Sequence, residues 1–402
     1  MGCEPTNSIA WVCSDSKRSA MSESRSNPVS KGRFPEFPEL DGFRGLAIFL
    51  VLAGHTFEFS LGYREPWRMW GSVGVVLFFA LSGFLITGLL CAERSRTGGI
   101  DLRGFWMRRV FRIVPAMAVF LLGVAILKGR GWVVDSRWRD FGLSLAFVRN
   151  LAGRGPTLEH LWSIAVEMQF YAVWPILFFR LSLRGAQRVG MGIFLAVILW
   201  RAGAIGAGLY SHDSATIYLR TDFRIDALMG GSLLAMARQT GRLAGFSGWL
   251  RVFPPVWVFP ALLGWSGWMS AFPGVHPLFI TVEVLLALLL LARLLAFPTD
   301  GFGQLCRSGW MRWLGRRSYS IYLWQQLFIL TKTPDWGWIR EFPVDVFMAF
   351  AAGLVSYHRV EVPFLRLRTR WGGRPVASPI QNGSGSSSAP SPSFPGGSEK
   401  PE

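Results

Sequence analysis

The sequence is poor in acidic residues, in charge of either sign and in cysteine. Asp and Glu number 25 against 42 Lys and Arg, and charged residues make up 17% of the 402 positions while hydrophobic residues make up 51%. Ordinary soluble domains carry about 25% charged residues, so this composition excludes one of that kind. The four cysteines have neither metal-ligand spacing nor a paired framework, which excludes a disulfide-stapled fold and a cysteine metal centre. We therefore predict a polytopic membrane protein without a metal site.

The net charge of +17 comes from arginines that lie mainly between apolar segments. In a soluble protein such a charge would indicate nucleic acid. Between membrane spans it indicates cytoplasmic loops and contact with anionic lipid headgroups. We therefore expect the lipid bilayer, and no nucleic acid, among the partners.

The two ends of the sequence differ from its middle. Residues 1–36 are polar and lack the apolar core of a signal peptide, which predicts a disordered cytoplasmic leader. The first six residues fit an N-myristoylation pattern, with Cys3 as a second lipid site, although a plain leader or a misassigned start is the reading we favour. Residues 373–402 are rich in Gly, Ser and Pro, which predicts a disordered tail and no fused hydrolase-like domain. Residues 37–372 are predicted to form one membrane domain.

Apolar stretches predict an all-α bundle of about ten transmembrane helices. Arginine-rich loops follow the second, fourth, sixth and eighth spans, so the positive-inside rule places both termini in the cytoplasm, with the inner membrane as the location if the source is bacterial. A short apolar piece at 141–148 cannot span, and the basic connection at 128–140 lies outside in this arrangement, as an exception to the rule. The predicted spans cover residues 43–61, 71–91, 110–127, 163–179, 189–209, 222–237, 252–269, 277–297, 318–330 and 342–357.

A histidine lies inside the first predicted span. Insertion scales assign a charged side chain at the centre of a span a cost of roughly 2.5–3.5 kcal/mol, so an ionisable group there is a candidate for function. With about 3.6 residues per helical turn, Arg44 and His55 fall on one stripe, and Asp41 lies close to it. We interpret this stripe as part of a buried site.

A second polar face enters the fourth predicted span and carries His160, Ser163 and Glu167. This span runs inward while the first runs outward, so His55 and Glu167 are predicted to reach similar depths. That placement predicts a histidine–carboxylate pair, in which the carboxylate orients the imidazole and stabilises its charged form. Taken alone, each residue is equally well explained as a structural hydrogen-bonding group.

Three further segments combine polar and apolar residues. Arg109 and Arg112 share a face at the mouth of the third predicted span and suit phosphate binding, but topology and headgroup contact explain such a cluster as well. The segment 221–227 contains arginine and aspartate, and we favour a structural ion pair there over substrate contact. The polar and aromatic residues of 318–326 are candidates for lining a cavity.

Taken in order, these motifs resemble the integral membrane acyltransferase 3 family, which includes O-acetylases of O-antigen and other surface polysaccharides. The resemblance covers residues from about 40 to 370. It is carried by L-D-G-F-R-G with the histidine that follows, V-V-L-F-F-A-L-S-G-F-L-I-T, R-R-V-F-R-I-V-P-A, H-L-W-S-I-A-V-E-M-Q-F-Y, R-I-D-A-L-M-G-G, L-G-R-R-S-Y-S-I-Y-L-W and R-V-E-V-P-F.

The resemblance implies ten helices and transfer of an acyl group, usually acetyl, from acyl-CoA to a hydroxyl of a glycan or lipid-linked sugar. Acetyl-CoA would be a co-substrate, and no bound cofactor is expected. The same resemblance marks His55 as the catalytic base, with Asp41, Arg44 and Glu167 supporting the site. It also implies that Arg109 and Arg112 contact the acyl donor.

The chain departs from the family pattern at two positions. Gln325 stands where many members carry a histidine, so a proton-transfer role there is lost and hydrogen bonding remains. Met168 replaces a frequent second acidic residue. The alternative function is a transporter or flippase of a lipid-linked or acylated molecule, but the sequence contains no inverted repeat of interrupted helices.

Overall fold

A computed structural model describes residues 37–62, 68–152, 155–210, 219–271, 276–331 and 334–371, so the predicted leader and tail lie outside it. Within these ranges the chain is helical and has no β-strand. The helices are α1 (Pro38–His55), α2 (Arg68–Thr97), α3 (Leu102–Gly129), α4 (Trp138–Leu145), α5 (Arg149–Ala152), α6 (Leu161–Arg180), α7 (Leu183–Gly206), α8 (Thr221–Gln239), α9 (Arg242–Gly245), α10 (Ser247–Arg251), α11 (Pro255–Ala271), α12 (His276–Ala296), α13 (Gly301–Arg307), α14 (Gly309–Ile329), α15 (Val344–Ser356) and α16 (Val362–Trp371).

The helices confirm an all-α polytopic membrane protein. Each of the ten predicted spans coincides with a helix, and the apolar piece at 141–148 lies largely in α4, which has only 8 residues and is too short to cross. Four of the ten, in α8, α11, α14 and α15, fall short in length or hydropathy within the described residues. Six segments of the described chain are long and apolar enough to cross a bilayer: Pro38–Ser60, Met69–Thr97, Leu102–Gly129, Pro156–Arg180, Leu183–Gly206 and Phe279–Ala296.

Several helices extend beyond the predicted spans into the arginine-rich segments. The segment after the second span was predicted as a loop, but Arg94 and Arg96 belong to the last turns of α2, and Arg109 lies well inside α3. Arg312 and Arg316 similarly lie in the first turns of α14. Hydropathy marks only the part of a helix that faces hydrocarbon, whereas the same helix continues through the headgroup layer, where arginines are solvated.

The first helix packs along both α2 and α14. Close approach to α14 depends on Gly45 and Gly315: a Cβ on Gly45 would collide with the carbonyl of Met311, and one on Gly315 with the carbonyl of Asp41. Small residues let helix backbones approach closely in membranes, where packing rather than the hydrophobic effect drives association. The glycine of L-D-G-F-R-G at Gly45 therefore has a packing role.

One end of the bundle collects the arginines, and we call it the arginine face. Arg94, near the end of α2, donates from Nη1 to the carbonyl of Leu181 at 2.8 Å, just beyond α6. Arg108 of α3 lies 3.5 Å from Glu93 of α2. These contacts bring the ends of α2 and α6 and the starts of α3 and α7 to the same face.

The basic connection between the third and fourth spans contains a buried ion pair. Arg149 and Asp140 lie 3.3 Å apart and are both almost fully buried, and Arg149 Nε donates to the carbonyl of Leu158 at 2.6 Å. Burial lowers the pKa of the Arg149 guanidinium, and the neighbouring Asp140 carboxylate opposes that shift. Part of the positive charge in this connection is therefore neutralised inside the protein.

The segment 221–227 takes part in ion pairs that hold α8 in place. Asp226 accepts from Arg201 of α7 at 2.8 Å, and both side chains are buried. Asp222 pairs with Arg220 at 2.9 Å. These contacts agree with the interpretation of the aspartates as members of structural ion pairs. The partner of Asp226, however, is Arg201 of the neighbouring helix and not the arginine of the R-I-D motif.

Candidate active site

A cavity of about 460 Å³ lies at the arginine face between α1, α2, α3, α6 and α14, and we call it the polar cavity. It brings together residues that the sequence places in three separate motifs. The predicted site residues that line it are Asp41, Arg44, Arg109, Arg112, Ser163 and Glu167.

The polar cavity has more cations than anions. Its carboxylates are Asp41, Glu93 and Glu167. Guanidiniums in a space shielded from bulk water attract phosphate groups by charge and by paired N–H donors. The arginines that line the cavity are Arg44, Arg108, Arg109, Arg112 and Arg312.

Glu167 accepts a hydrogen bond from a hydroxyl group of α2, which in turn accepts one from a tyrosine of α6. The Ser82 hydroxyl donates to Glu167 Oε1 at 2.6 Å, and the Tyr171 hydroxyl donates to Ser82 Oγ at 3.2 Å. The Arg109 guanidinium lies 5.9 Å from the centre of the Tyr171 ring. The carboxylate, the hydroxyls and the arginine therefore form one connected network on the cavity wall.

The inner end of the polar cavity is formed by a pair of hydroxyls. Ser163 Oγ and Tyr322 Oη are 2.7 Å apart, and each is also within hydrogen-bond distance of the His160 carbonyl. His160 Nδ1 lies 2.8 Å from Oε1 of Gln326. The His160 ring is 1% exposed and is packed against Phe120 and Tyr322, so it is enclosed by protein.

His55 lies outside the lining of the polar cavity and has a different environment. Its Nδ1 is 2.8 Å from Oε1 of Gln325, which is one turn of α14 beyond Tyr322. Its Nε2 faces α2, where a Cβ built on Gly71 would lie 3.6 Å away. His55 is only partly buried.

A change of helix type begins directly after His55. The α-helical pattern ends at this residue, and Thr56–Ser60 continues as a π-helical turn. Single π-helical turns within helices are frequent at functional sites. The backbone around His55 thus departs from regular helix at the position that the sequence analysis marked as functional.

The predicted His55–Glu167 pair is not formed. His55 is hydrogen-bonded to Gln325 of α14, and Glu167 is hydrogen-bonded to Ser82 of α2. The two side chains also lie at different levels, because Glu167 lines the polar cavity whereas His55 lies beyond its inner end. The His55 partner Gln325 is adjacent to the glutamine that contacts His160, about two helical turns before Glu167. The His55 imidazole is therefore oriented by the side-chain amide of Gln325 and not by a carboxylate.

Arg44 and His55, which were predicted to lie on one stripe of the first helix, have different environments in the structure. Arg44 lines the polar cavity, whereas His55 lies beyond its inner end. The predicted hydrogen-bonding role of Gln325 agrees with its contact to His55.

Sequence reasoning missed several members of the site. Ser82 and Tyr171 were assigned no role in the site from the sequence. Tyr322 and Gln326 lie in the polar and aromatic segment predicted to line a cavity, and their spacing of four residues was the signal that could have assigned them to one face. Within the described residues, no group of three or more His, Cys, Asp or Glu side chains is arranged to hold a metal ion.

An all-helical membrane bundle with ionisable side chains gathered in its interior is the architecture of a membrane-embedded enzyme or transporter. The chain belongs to the acyltransferase domain family, whose model matches residues 37–370, and this assigns it to the acyltransferases. The resemblance noted in the sequence is thereby confirmed.

The curated relatives are named as O-acetyltransferases and are longer than this chain. A peptidoglycan O-acetyltransferase, OatA of Listeria monocytogenes, is 28% identical over 74% of this chain and 50% of its own length. A putative peptidoglycan O-acetyltransferase, YrhL of Bacillus subtilis, is 27% identical over 81% of this chain and 54% of its own length. A putative O-acetyltransferase of Staphylococcus aureus is 27% identical over 81% of this chain and 57% of its own length. The chain thus spans about half the length of these relatives, and no solved structure matches it.

Proposed function

We propose that the chain is a membrane O-acetyltransferase that moves an acetyl group from acyl-CoA to a hydroxyl of a cell-wall glycan. The observation that supports this best is the polar cavity, in which Arg109 and Arg112 of α3 meet the polar faces of α1 and α6. The names of the relatives support a glycan acceptor of the peptidoglycan type.

The donor enters the polar cavity from the arginine face in this proposal. The phosphates of CoA bind the excess guanidiniums, because charge-assisted and bidentate hydrogen bonds are the strong ones. The pantetheine arm then extends along the cavity towards Ser163 and Tyr322, and the thioester reaches the level of Gln325 one turn further on. In this arrangement the phosphates bind far from the reacting carbon.

His55 acts as the general base. Because Oε1 of Gln325 accepts a hydrogen bond, Nδ1 of a neutral imidazole carries the proton and Nε2 carries the lone pair. Nε2 takes the proton of the acceptor hydroxyl as its oxygen attacks the thioester carbonyl. The carbon–sulfur bond then breaks, and the leaving thiolate takes up that proton to give free CoA. Ester formation is thus balanced without any further reactant.

Glu167 has a supporting role in the proposal. Its carboxylate lines the polar cavity together with Arg44 and Arg112 and accepts from the Ser82 hydroxyl. It offsets part of the positive charge of the polar cavity beside the space that the donor would fill. Asp41 contributes a second carboxylate beside Arg44.

The proposed orientation places the arginine face in the cytoplasm, where acyl-CoA is made, with the bacterial inner membrane as the location. Retention of arginines on the cytoplasmic side supports this assignment. Reporter fusions after Arg184, at the arginine face, and after Tyr210, beyond the other end of α7, are expected to report the cytoplasm and the exterior, respectively. Fusions that report the same side would contradict the orientation.

The donor assignment is tested by replacing both Arg109 and Arg112 by Gln. Their binding energy would be shared by ground and transition states, so the KM for acetyl-CoA should rise much more than the KM for the acceptor. Replacement of both by Lys should restore only part of the loss, because Lys lacks the planar fork. The measurement is transfer of labelled acetyl groups by reconstituted protein to a glycan acceptor.

A matched control for the donor test is Arg96→Gln with Arg103→Gln. Both arginines are exposed at the same face and do not line the polar cavity. The control should leave the KM for acetyl-CoA unchanged. Equal effects of the two double variants would reject donor binding in the polar cavity, and absence of any labelled product with intact protein would favour the transporter alternative.

A further inference from the structure

A second concave site shares no lining residue with the polar cavity and takes no part in the proposed reaction. It is a groove of about 880 Å³ between α7, α8, α9, α10 and α12, and we call it the apolar groove. Leucines of α8 and α12, among them Leu233 and Leu288, form its floor, and Phe246 and Trp249 form one rim.

One end of the apolar groove carries three arginines: Arg184 and Arg188 of α7 and Arg242 of α9. All three are exposed, and within the part of the chain that the structure describes none of them makes an ion pair or hydrogen bond. Among the described residues, none of those that line the groove is acidic. The site therefore presents three positive charges that no neighbouring carboxylate offsets.

Other arginines near this face have partners. Arg293 lies 2.9 Å from Asp300, and Arg307 lies 3.1 Å from Glu39. Topology alone requires positive residues at the cytoplasmic face, but it does not require three of them to converge on one apolar groove without a counter-charge. The charge pattern indicates an anionic ligand at this end.

Along α7, cationic residues are followed by apolar ones, which matches the charged headgroup and apolar chain of an amphiphile. Arg184 and Arg188 are four residues apart, and Met191 and then Phe194 continue the same side of the helix into the groove. Aromatic rings such as that of Trp249 are typical of the interface between headgroups and hydrocarbon. The polarity thus changes from cationic to aliphatic along one continuous surface.

We propose that the apolar groove binds one anionic glycerophospholipid from the surrounding leaflet. Its phosphate contacts Arg184, Arg188 and Arg242, and an acyl chain lies along Met191 and the leucines of α8 and α12. Basic pockets between membrane helices are known to bind acidic lipid headgroups, and each cation near such a surface adds to the attraction. The lipid would hold the short helices α9 and α10 against the bundle. Binding of this lipid does not depend on the proposed acetyl-transfer reaction.

The test is native mass spectrometry of the delipidated full chain titrated with phosphatidylglycerol or phosphatidylcholine. The protein should bind one phosphatidylglycerol in preference to phosphatidylcholine. Replacement of Arg184, Arg188 and Arg242 by Gln should weaken the binding of phosphatidylglycerol by about 100-fold. The matched control carries Arg96→Gln, Arg103→Gln and Arg180→Gln, which remove the same charge from the same face outside the groove, and it should bind as the parent does.

A second variant separates a lipid from a phosphate alone. Met191→Trp fills the apolar part of the groove and leaves the three arginines in place, so it should also weaken phosphatidylglycerol binding. In the parent protein, glycerophosphate should not compete with phosphatidylglycerol. Equal losses in the two triple variants would reduce the effect to general surface charge and overturn the proposal. Full binding by Met191→Trp would overturn it as well, because the acyl chain would then not lie in the groove. Competition by glycerophosphate would also overturn it, because a soluble anion would then be sufficient for binding.

Discussion

Two histidines in this protein have the same kind of partner and different surroundings. His55 and His160 each place Nδ1 2.8 Å from a glutamine Oε1, and the two glutamines, Gln325 and Gln326, are adjacent on α14. His160 is 1% exposed, and its Nε2 is buried without a hydrogen-bond partner in the described structure. His55 is partly exposed and its Nε2 faces Gly71.

This difference shows that a hydrogen-bonded imidazole is not by itself a catalytic base. Both amides orient a ring, but a base must also reach the proton that it removes. The His160 ring is enclosed by Phe120 and Tyr322, and its backbone carbonyl accepts from the hydroxyl pair that ends the polar cavity. In the proposed mechanism His160 therefore organises the wall of the site, whereas His55 meets the substrate.

The sharpest test of this comparison is His55→Ala. General-base catalysis typically contributes about 10²–10⁴-fold, so acetyl transfer should fall by that factor while the protein still inserts and accumulates. Transfer of labelled acetyl groups, normalised to the amount of monodisperse protein, is the measurement. Activity within a few-fold of the parent would remove His55 from the mechanism.

The matched variant is His160→Ala. Loss of a buried ring leaves a cavity and removes one of the two hydrogen bonds between His160 and Gln326 Oε1, so the main expected effect is a lower melting temperature in detergent. Transfer per folded molecule should stay within about tenfold of the parent. A larger loss in His160→Ala than in His55→Ala would reverse the roles assigned to the two rings.

A smaller effect is expected when the space beside His55 is reduced. A Cβ on Gly71 would lie 3.6 Å from Nε2, which is an ordinary contact, so Gly71→Ala should be tolerated. The branches of Val in Gly71→Val would extend over Nε2, and kcat should fall by about tenfold or more, because a small misplacement of reacting groups is costly. Equal activity of the Ala and Val variants would show that the acceptor does not approach Nε2 from this side.

The smallest effect concerns the amide that orients His55. Gln325→Leu removes one hydrogen bond, which contributes about 0.5–1.5 kcal/mol, so kcat should fall by about 2- to 13-fold with little change in the KM for acetyl-CoA. Gln325→His supplies a ring nitrogen as acceptor and should restore part of the activity. A Leu variant that raises the KM for acetyl-CoA, and not kcat, would assign Gln325 to donor binding.

Much of the fold was predictable because hydropathy reports directly on contact with lipid. Each predicted span is a helix in the structure, and the short piece at 141–148 does not span. The grouping of Arg109 with Arg112 followed from helical spacing alone. The boundaries were wrong where α2, α3 and α14 continue into arginine-rich segments, because polar residues beyond the hydrocarbon do not end a helix.

The amino-acid sequence by itself determined that the chain is a helical membrane protein and which polar groups share a helix face, since these properties depend on local pattern. Only the tertiary structure decided that His55 is hydrogen-bonded to Gln325 and Glu167 to Ser82. The partner of a side chain depends on how each helix is rotated about its axis, and here α1 is set against α14 by backbone contact at Gly45 and Gly315. Those contacts join residues that are distant in sequence, so no local pattern contains them.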